Sequence, residues 1–156
     1  MSNDVCGYIA TELSDELAKK LADFVRKSEL GIQKISKREL YNYPSNFIPI
    51  NGEYCFLIGD APGYPNATYL IDYYQYDPAT ADIGFPANPK ERLDILIDTL
   101  VNMIKITKAT KMVVAITDCN QIDNIKKIKF PEMRDVIHAD FEKYQAPPDT
   151  LYEIIV

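Results

Sequence analysis

The spacing of hydrophobic residues predicts a strand followed by a helix at the start of the chain. Residues 5–10 form an apolar run that favours a strand. Beyond it, apolar residues recur every three or four positions, which is the period of one helix face. Thr11 or Ser14 is the expected cap of this helix, and Gly31 is its expected end. The apolar stripe consists of Leu13, Leu17, Leu21, Phe24 and Val25.

The next part of the chain predicts short strands joined by turns. Residues 32–35 favour a short strand, and a proline restricts residues 47–50 to at most an edge strand. Asn51 and Gly52 are typical of a two-residue hairpin turn, because both tolerate positive φ. Residues 54–58 are then expected as the return strand of that hairpin.

Residues 68–76 predict a long strand at the centre of an antiparallel sheet, because they are rich in β-branched and aromatic side chains. A loop is expected after it. Asn88, Pro89 and Glu91 then combine a cap, a proline at the first helical position and an acid at the third, which predicts a helix running to about residue 107.

The last third of the chain favours an inner strand at residues 112–117, a helix at residues 131–144 and a final strand at residues 151–156. Taken in order, these elements predict one α+β domain over residues 1–156. We expect a mostly antiparallel sheet of five to six strands with three helices packed on one face.

Composition narrows the classes of function. The chain has 156 residues, 47% of them hydrophobic, and a net charge of -6, with an isoelectric point near 4.8. An acidic chain is a poor binder of nucleic acid or of an anionic membrane, so neither partner is expected. Three widely spaced cysteines and the lack of a signal-peptide pattern at the N-terminus favour the cytoplasm.

Few residues offer catalytic chemistry. Cys119 follows the predicted strand 112–117 and is the best candidate nucleophile, although the neighbouring Asp118 opposes formation of a thiolate. His138 is the only histidine, and we interpret it as an ordinary helical residue. Asp94 and Asp98 lie one helical turn apart on the polar helix face, where solvated carboxylates are expected. The sequence predicts no catalytic residue, no metal site and no cofactor.

The strongest signal is an acidic segment, which we define as residues 39–89. It contains six acidic residues and no lysine or arginine, together with eight of the eleven tyrosines and seven of the ten prolines. The rest of the chain has 17 acids and 17 bases, so the whole net charge comes from this segment. Carboxylates beside tyrosine rings are typical of a surface that binds a cationic protein.

Strand alternation places acids and rings of this segment together, which predicts a partner-binding face. Its expected residues are Asp72, Tyr73, Tyr74, Tyr76, Asp77 and Asp82. Bacterial immunity proteins, which neutralise nuclease toxins by occlusion, share the small, acidic and single-domain character of this chain. We therefore expect a non-enzymatic inhibitor of a basic, nuclease-type toxin.

Three alternatives remain. The tyrosines could serve as cross-strand packing while the acids solvate an outer face. The chain could be a small thiol-dependent enzyme built around Cys119, Asp118 and His138. It could also be a subunit of a homo-oligomer, joined through residues 47–50 or through the tyrosine-rich face.

Overall fold

A computed structural model describes residues 4–10, 12–50, 53–73 and 84–156. The described residues form six strands, three α-helices and four single-turn 3₁₀ helices. The strands and α-helices follow the order β1 (Val5–Ile9), α1 (Asp15–Lys27), β2 (Ile32–Lys34), β3 (Tyr54–Ile58), α2 (Pro89–Thr107), β4 (Lys111–Ile116), β5 (Asn124–Lys129), α3 (Met133–Tyr144) and β6 (Thr150–Ile155).

The six strands form one mixed sheet in the order β2-β3-β1-β4-β6-β5. Every neighbouring pair is antiparallel except β5 and β6, which run parallel. This architecture confirms the predicted α+β class, with six strands and three helices.

All three helices pack on one face of the sheet, as predicted. The main core joins Phe56, Val114 and Tyr152 of the sheet to Leu100 of α2 and Phe141 of α3, and each of these five residues is buried. Successive side chains of a strand point to opposite faces of the sheet. The side chains that face away from the helices must therefore be covered by another part of the chain.

A cover segment, which we define as residues 35–50, packs on the other face of the sheet. It contains two 3₁₀ helices, Lys37–Glu39 and Ser45–Phe47. Leu40 and Tyr43 from this segment are buried in a second apolar cluster against strand residues. The sheet is therefore covered on both faces, by helices on one and by a largely irregular segment on the other.

The helix caps lie where the sequence predicts them. The Ser14 hydroxyl accepts a hydrogen bond from Leu17 N–H at 3.2 Å, which identifies Ser14 as the cap of α1. The Asn88 side chain accepts from the N–H groups of Lys90 and Glu91 at 2.8 and 3.3 Å. These bonds satisfy donors that have no partner within the helix.

The predicted central strand at residues 68–76 is wrong over the described residues 68–73. Ala67–Leu70 is a 3₁₀ helix capped by Asn66, whose side chain accepts from Thr68 N–H at 3.0 Å. Residues 71–73 continue without strand pairing, and residues 74–76 lie outside the described residues. The tertiary reason is that Leu70, Ile71 and Tyr73 are buried in the main core beside the helices instead of pairing with the sheet.

The predicted hairpin is also corrected. Residues 45–47 form a 3₁₀ helix, and β3 pairs with β2 and β1 instead of with residues 47–50. Asn51 and Gly52, the predicted turn, lie outside the described residues. Strand β5 was not predicted, because its two isoleucines, Ile125 and Ile128, lie three positions apart and do not follow the two-residue period of a strand. Only Ile128 is buried.

A bilayer-spanning helix must be both long and apolar along most of its length. Within the described parts of the chain, no helix meets both requirements.

Candidate functional site

Two of the six residues of the predicted partner-binding face lie within the described structure. The Tyr73 ring is buried, with its centroid 5.6 Å from that of Phe141, and its hydroxyl lies 3.2 Å from the Glu142 carboxylate. Asp72 is half-buried. Tyr73 therefore contributes to the core in this conformation. Tyr74, Tyr76, Asp77 and Asp82 fall outside the described residues, so their part in a binding face stays a prediction.

Arg92 of α2 organises the backbone around Asp72. Its side chain is buried, with 1% of the residue surface exposed. Its guanidinium donates to the backbone carbonyls of Tyr69 at 3.2 Å and Asp72 at 2.6 Å. It also donates to the carbonyls of Pro86 at 3.0 Å and Ala87 at 2.8 Å. One side chain thus holds the acidic segment at two places that are far apart in sequence.

The described carboxylates of the acidic segment are not gathered at one point. Glu39 accepts from Ser36 N–H at 3.0 Å and caps the first 3₁₀ helix of the cover segment. Glu53 lies just before β3 and Asp60 just after it, so they stand at opposite ends of that strand. The charged side chains of the acidic segment are therefore all negative, but the described ones lie at separate places in the structure.

Exposed apolar side chains are concentrated in the acidic segment. Seven large hydrophobic residues are exposed among the described ones, and four of them belong to this segment. These are Tyr41, Ile48, Ile50 and Tyr64. Tyr41 and Ile50 are 74% and 78% exposed, and both lie in the cover segment. Large exposed apolar side chains are the usual anchors of protein interfaces.

A groove of about 450 Å³ separates the end of the cover segment from the sheet. Ile48, Pro49, Ile50, Glu53 and Tyr8 are among the residues that line it. Burial raises the pKa of Tyr8 to about 12, with further contributions from Glu153 and Glu53. The Tyr8 hydroxyl therefore stays protonated at neutral pH.

Lysines from outside the acidic segment also lie at this groove. Lys111 lines it and forms an ion pair with Glu153 at 3.5 Å. Lys37 donates to the Ile50 carbonyl at 3.2 Å. The groove therefore contains both acidic and basic side chains. Its apolar lining from the end of the cover segment distinguishes it more clearly than its charge does.

Sequence reasoning did not single out the cover segment, because its fold is irregular. A signal was present in the apolar residues Leu40, Tyr43, Phe47 and Ile48, which have the spacing of one helix face although two prolines interrupt the stretch. Only two single-turn 3₁₀ helices form there, and the segment packs through a few anchor side chains.

Cys119 lies in the exposed loop after β4, as predicted. The Asp118 N–H donates to the Asp149 carboxylate at 2.8 Å, and the Asn42 side chain donates to the Asn120 carbonyl at 3.0 Å. These two bonds brace the loop on either side of the thiol. Cys6 and Cys55 are buried.

His138 pairs with a carboxylate of a neighbouring helix. Its Nε2 lies 2.7 Å from Asp94 Oδ1, and Arg134 bonds the same oxygen at 2.6 Å while also pairing with Asp98. Asp94 and Asp98 are thus partners in a network that joins α2 to α3. His138 belongs to this network, whereas the contacts of the Cys119 loop are with Asn42 and Asp149.

The described residues contain no group of three or more acidic, histidine or cysteine side chains arranged to hold a metal ion. No protein-family model, curated protein sequence or solved structure matches the chain.

Proposed function

We propose that this protein is a non-enzymatic binding protein that covers a basic surface of a partner protein. The class that fits best is a bacterial immunity protein that acts in the cytoplasm and neutralises a nuclease-type toxin by occlusion. The observation that carries the proposal is the coincidence of exposed apolar side chains with the acidic segment. Nuclease domains expose lysines and arginines for phosphate, and carboxylates can pair with them.

The cover segment supports the proposal because its exposed residues are adjacent to residues that are anchored in the second apolar cluster. Tyr41 is exposed, while its neighbours Leu40 and Tyr43 are buried against the sheet. The Tyr43 hydroxyl donates to the Cys6 carbonyl at 2.6 Å, which ties the segment to β1. A contact residue held in place before binding loses less conformational entropy when the partner arrives.

Occlusion needs shape and charge only, with no reaction at the interface. In the proposed complex, Tyr41 and Ile50 fill apolar recesses on the partner, and the carboxylates of the acidic segment neutralise the partner's cations. Complementary charge speeds association, and this gain falls as salt screens the charges. Asp72 lies on the helical side of the sheet, across from the cover segment, so it would belong to a separate contact with the partner. Tyr74, Tyr76, Asp77 and Asp82 stay predicted binding residues.

The test begins with affinity capture from the source cells, followed by measurement of binding kinetics with the captured protein. We expect a basic partner bound at a one-to-one ratio. Tyr41→Ala together with Ile50→Ala is expected to weaken binding at least tenfold, chiefly through faster dissociation. Asp72→Lys with Asp77→Lys is expected to slow association and to reduce its dependence on salt.

Tyr144→Ala is the matched control, because Tyr144 is 50% exposed and lies outside the acidic segment. It should leave the dissociation constant within about twofold of the unmodified protein. Equal affinity of the Tyr41/Ile50 variant and the control would remove the cover segment from the interface. An acidic partner would overturn the proposed function itself.

A further inference from the structure

Helix α1 is only partly covered by the rest of the protein. Leu21 is the one buried residue of the helix, although five apolar residues share the predicted stripe. Leu13 and Val25 are half-buried, and the small residues Ala18 and Ala22 are exposed. Leu13, Phe24 and Val25 contact the main core without being fully buried, so part of the apolar stripe stays accessible to solvent.

A groove of about 590 Å³ runs beside this uncovered stripe, between α1 and the edge of the sheet at β2 and β3. Six of its lining residues are apolar or aromatic. They are Leu13, Ala18, Leu21, Ala22, Val25 and Tyr54. The two alanines lie one helical turn apart, so their short side chains let another backbone approach closely.

The charged residues of the groove are balanced in sign. Glu12 and Glu53 supply two negative charges, and Arg26 and Lys34 supply two positive ones. Glu12 precedes the first turn of α1, whereas Arg26 lies in the last turn. At about 1.5 Å per residue, these two side chains stand on the order of 20 Å apart, at opposite ends of the helix.

We infer that this groove receives helix α1 of a second copy of the chain, with the two helices antiparallel about a two-fold axis. In that arrangement Glu12 of each copy faces Arg26 of the other, and Ala18 of each lies near Ala22 of the other. A two-fold interface must be complementary to itself, and opposite charges at the two ends of one helix satisfy this requirement. The interface goes beyond the proposed function, because it does not involve the acidic segment's exposed apolar residues.

The charge balance disfavours other occupants. A basic partner would meet as many cations as carboxylates in the groove, and a small ligand with a charged head group would find no net preference for its sign. Arg26 already pairs with Asp23 at 2.8 Å, but this pair is exposed and contributes little, so Arg26 can exchange partners.

A patch of one helix and a strand edge is small for an interface, which predicts a weak dimer with a dissociation constant on the order of 10–100 µM.

Sedimentation equilibrium between about 5 and 500 µM protein tests the inference, because this range brackets the expected dissociation constant. We expect a monomer–dimer equilibrium. Arg26→Glu and Glu12→Arg should each weaken the dimer at least tenfold, because each places like charges opposite one another. The double variant should restore the dissociation constant to within about threefold of the original, because both pairs are then reversed.

Lys27→Glu is the matched control. It makes the same change in net charge one residue away, on an exposed position of α1 that does not line the groove. It should leave the dissociation constant within about threefold of the original. A monomer throughout the concentration range would overturn the inference, and so would a dimer that Arg26→Glu leaves intact. Circular dichroism confirms that each variant keeps its fold. Neither result bears on the binding of a basic partner through the cover segment.

Discussion

The guanidinium of Arg92 donates a 2.6 Å hydrogen bond to the backbone carbonyl of Asp72, and the same side chain bonds the carbonyls of Pro86 and Ala87. These carbonyls stand on either side of residues 73–85. One buried cation on α2 therefore holds the chain at Asp72 and again at Pro86 and Ala87. A guanidinium suits this role because its five N–H groups point in fixed directions within one plane.

Arg92→Met is expected to lower the free energy of unfolding by about 3 kcal/mol or more, because four backbone carbonyls lose their donor. Urea denaturation measures this change. Lys105→Met is the control, since Lys105 is exposed on the same helix. It should change stability by less than about 0.5 kcal/mol. Similar stability of the two variants would show that other groups replace the guanidinium.

Tyr43→Phe is expected to destabilise the protein by about 1–2 kcal/mol. The change removes the hydroxyl that donates a hydrogen bond to the buried Cys6 carbonyl. Burial and the neighbouring Cys6 raise the pKa of Tyr43 well above its ordinary value, so the hydroxyl is a stable donor. Tyr41→Phe should be neutral by the same denaturation assay, because Tyr41 is exposed. Equal effects of the two changes would contradict the anchoring role of Tyr43.

The network around Asp94 predicts a dependence of stability on pH. Burial raises the pKa of Asp94, but the hydrogen bonds and charges of His138 and Arg134 outweigh it and lower the pKa below the ordinary value of 3.8. A carboxylate with a lowered pKa in the folded protein stabilises it above the unfolded pKa. This contribution disappears as the pH falls through the folded pKa.

Asp94→Asn should therefore be less stable than the unmodified protein above about pH 5, and the difference should vanish towards about pH 2. The effect is expected to be small, because the Asp94 side chain is 43% exposed and solvent screens its charge. Urea midpoints measured across this pH range check it. Asp60→Asn, at an exposed position, is the control for removing one carboxylate charge. A constant difference for Asp94→Asn would refute the lowered pKa.

The three thiols should differ in reactivity. Cys119 is exposed, whereas Cys6 and Cys55 are buried. Burial is the main cause that raises the pKa of Cys6 to about 11, and it raises the pKa of Cys55 as well. Titration with a thiol reagent at neutral pH is expected to modify one cysteine rapidly in the native protein and three in denaturant. Cys119→Ser should abolish the rapid phase, and a rapid phase that survives would place a second thiol at the surface.

Some elements could be predicted because short-range patterns decide them. The side chains of Ser14 and Asn88 accept hydrogen bonds from N–H groups in the first turn of the helix that follows each of them. This capping involves only residues that are close in sequence. The apolar run at residues 112–117 matches β4 closely, because a strand buried on both faces needs little besides apolar residues. The α+β class follows from the order of these elements.

Other elements depend on contacts that sequence spacing does not reveal. Residues 68–73 have the composition of a strand, but β-propensity mainly reflects packing against neighbouring strands, and these residues pack beside the helices instead. Strand β5 is the reverse case. Its lysine-rich sequence does not predict a strand, but its residues form one by pairing with β6. Tyr73 is buried by α3, which lies about 70 residues further along the chain.

The sequence by itself determined the helix caps, the main strands and the segment that carries the negative charge, because each depends on residue type and short-range spacing. Only the tertiary structure decided which tyrosines and carboxylates reach the surface, since burial depends on what distant parts of the chain cover. It places Tyr43 and Tyr73 inside and leaves Tyr41 and Ile50 exposed. It also leaves one face of α1 uncovered, because the short β2 edge and the small alanines do not fill the space beside that helix.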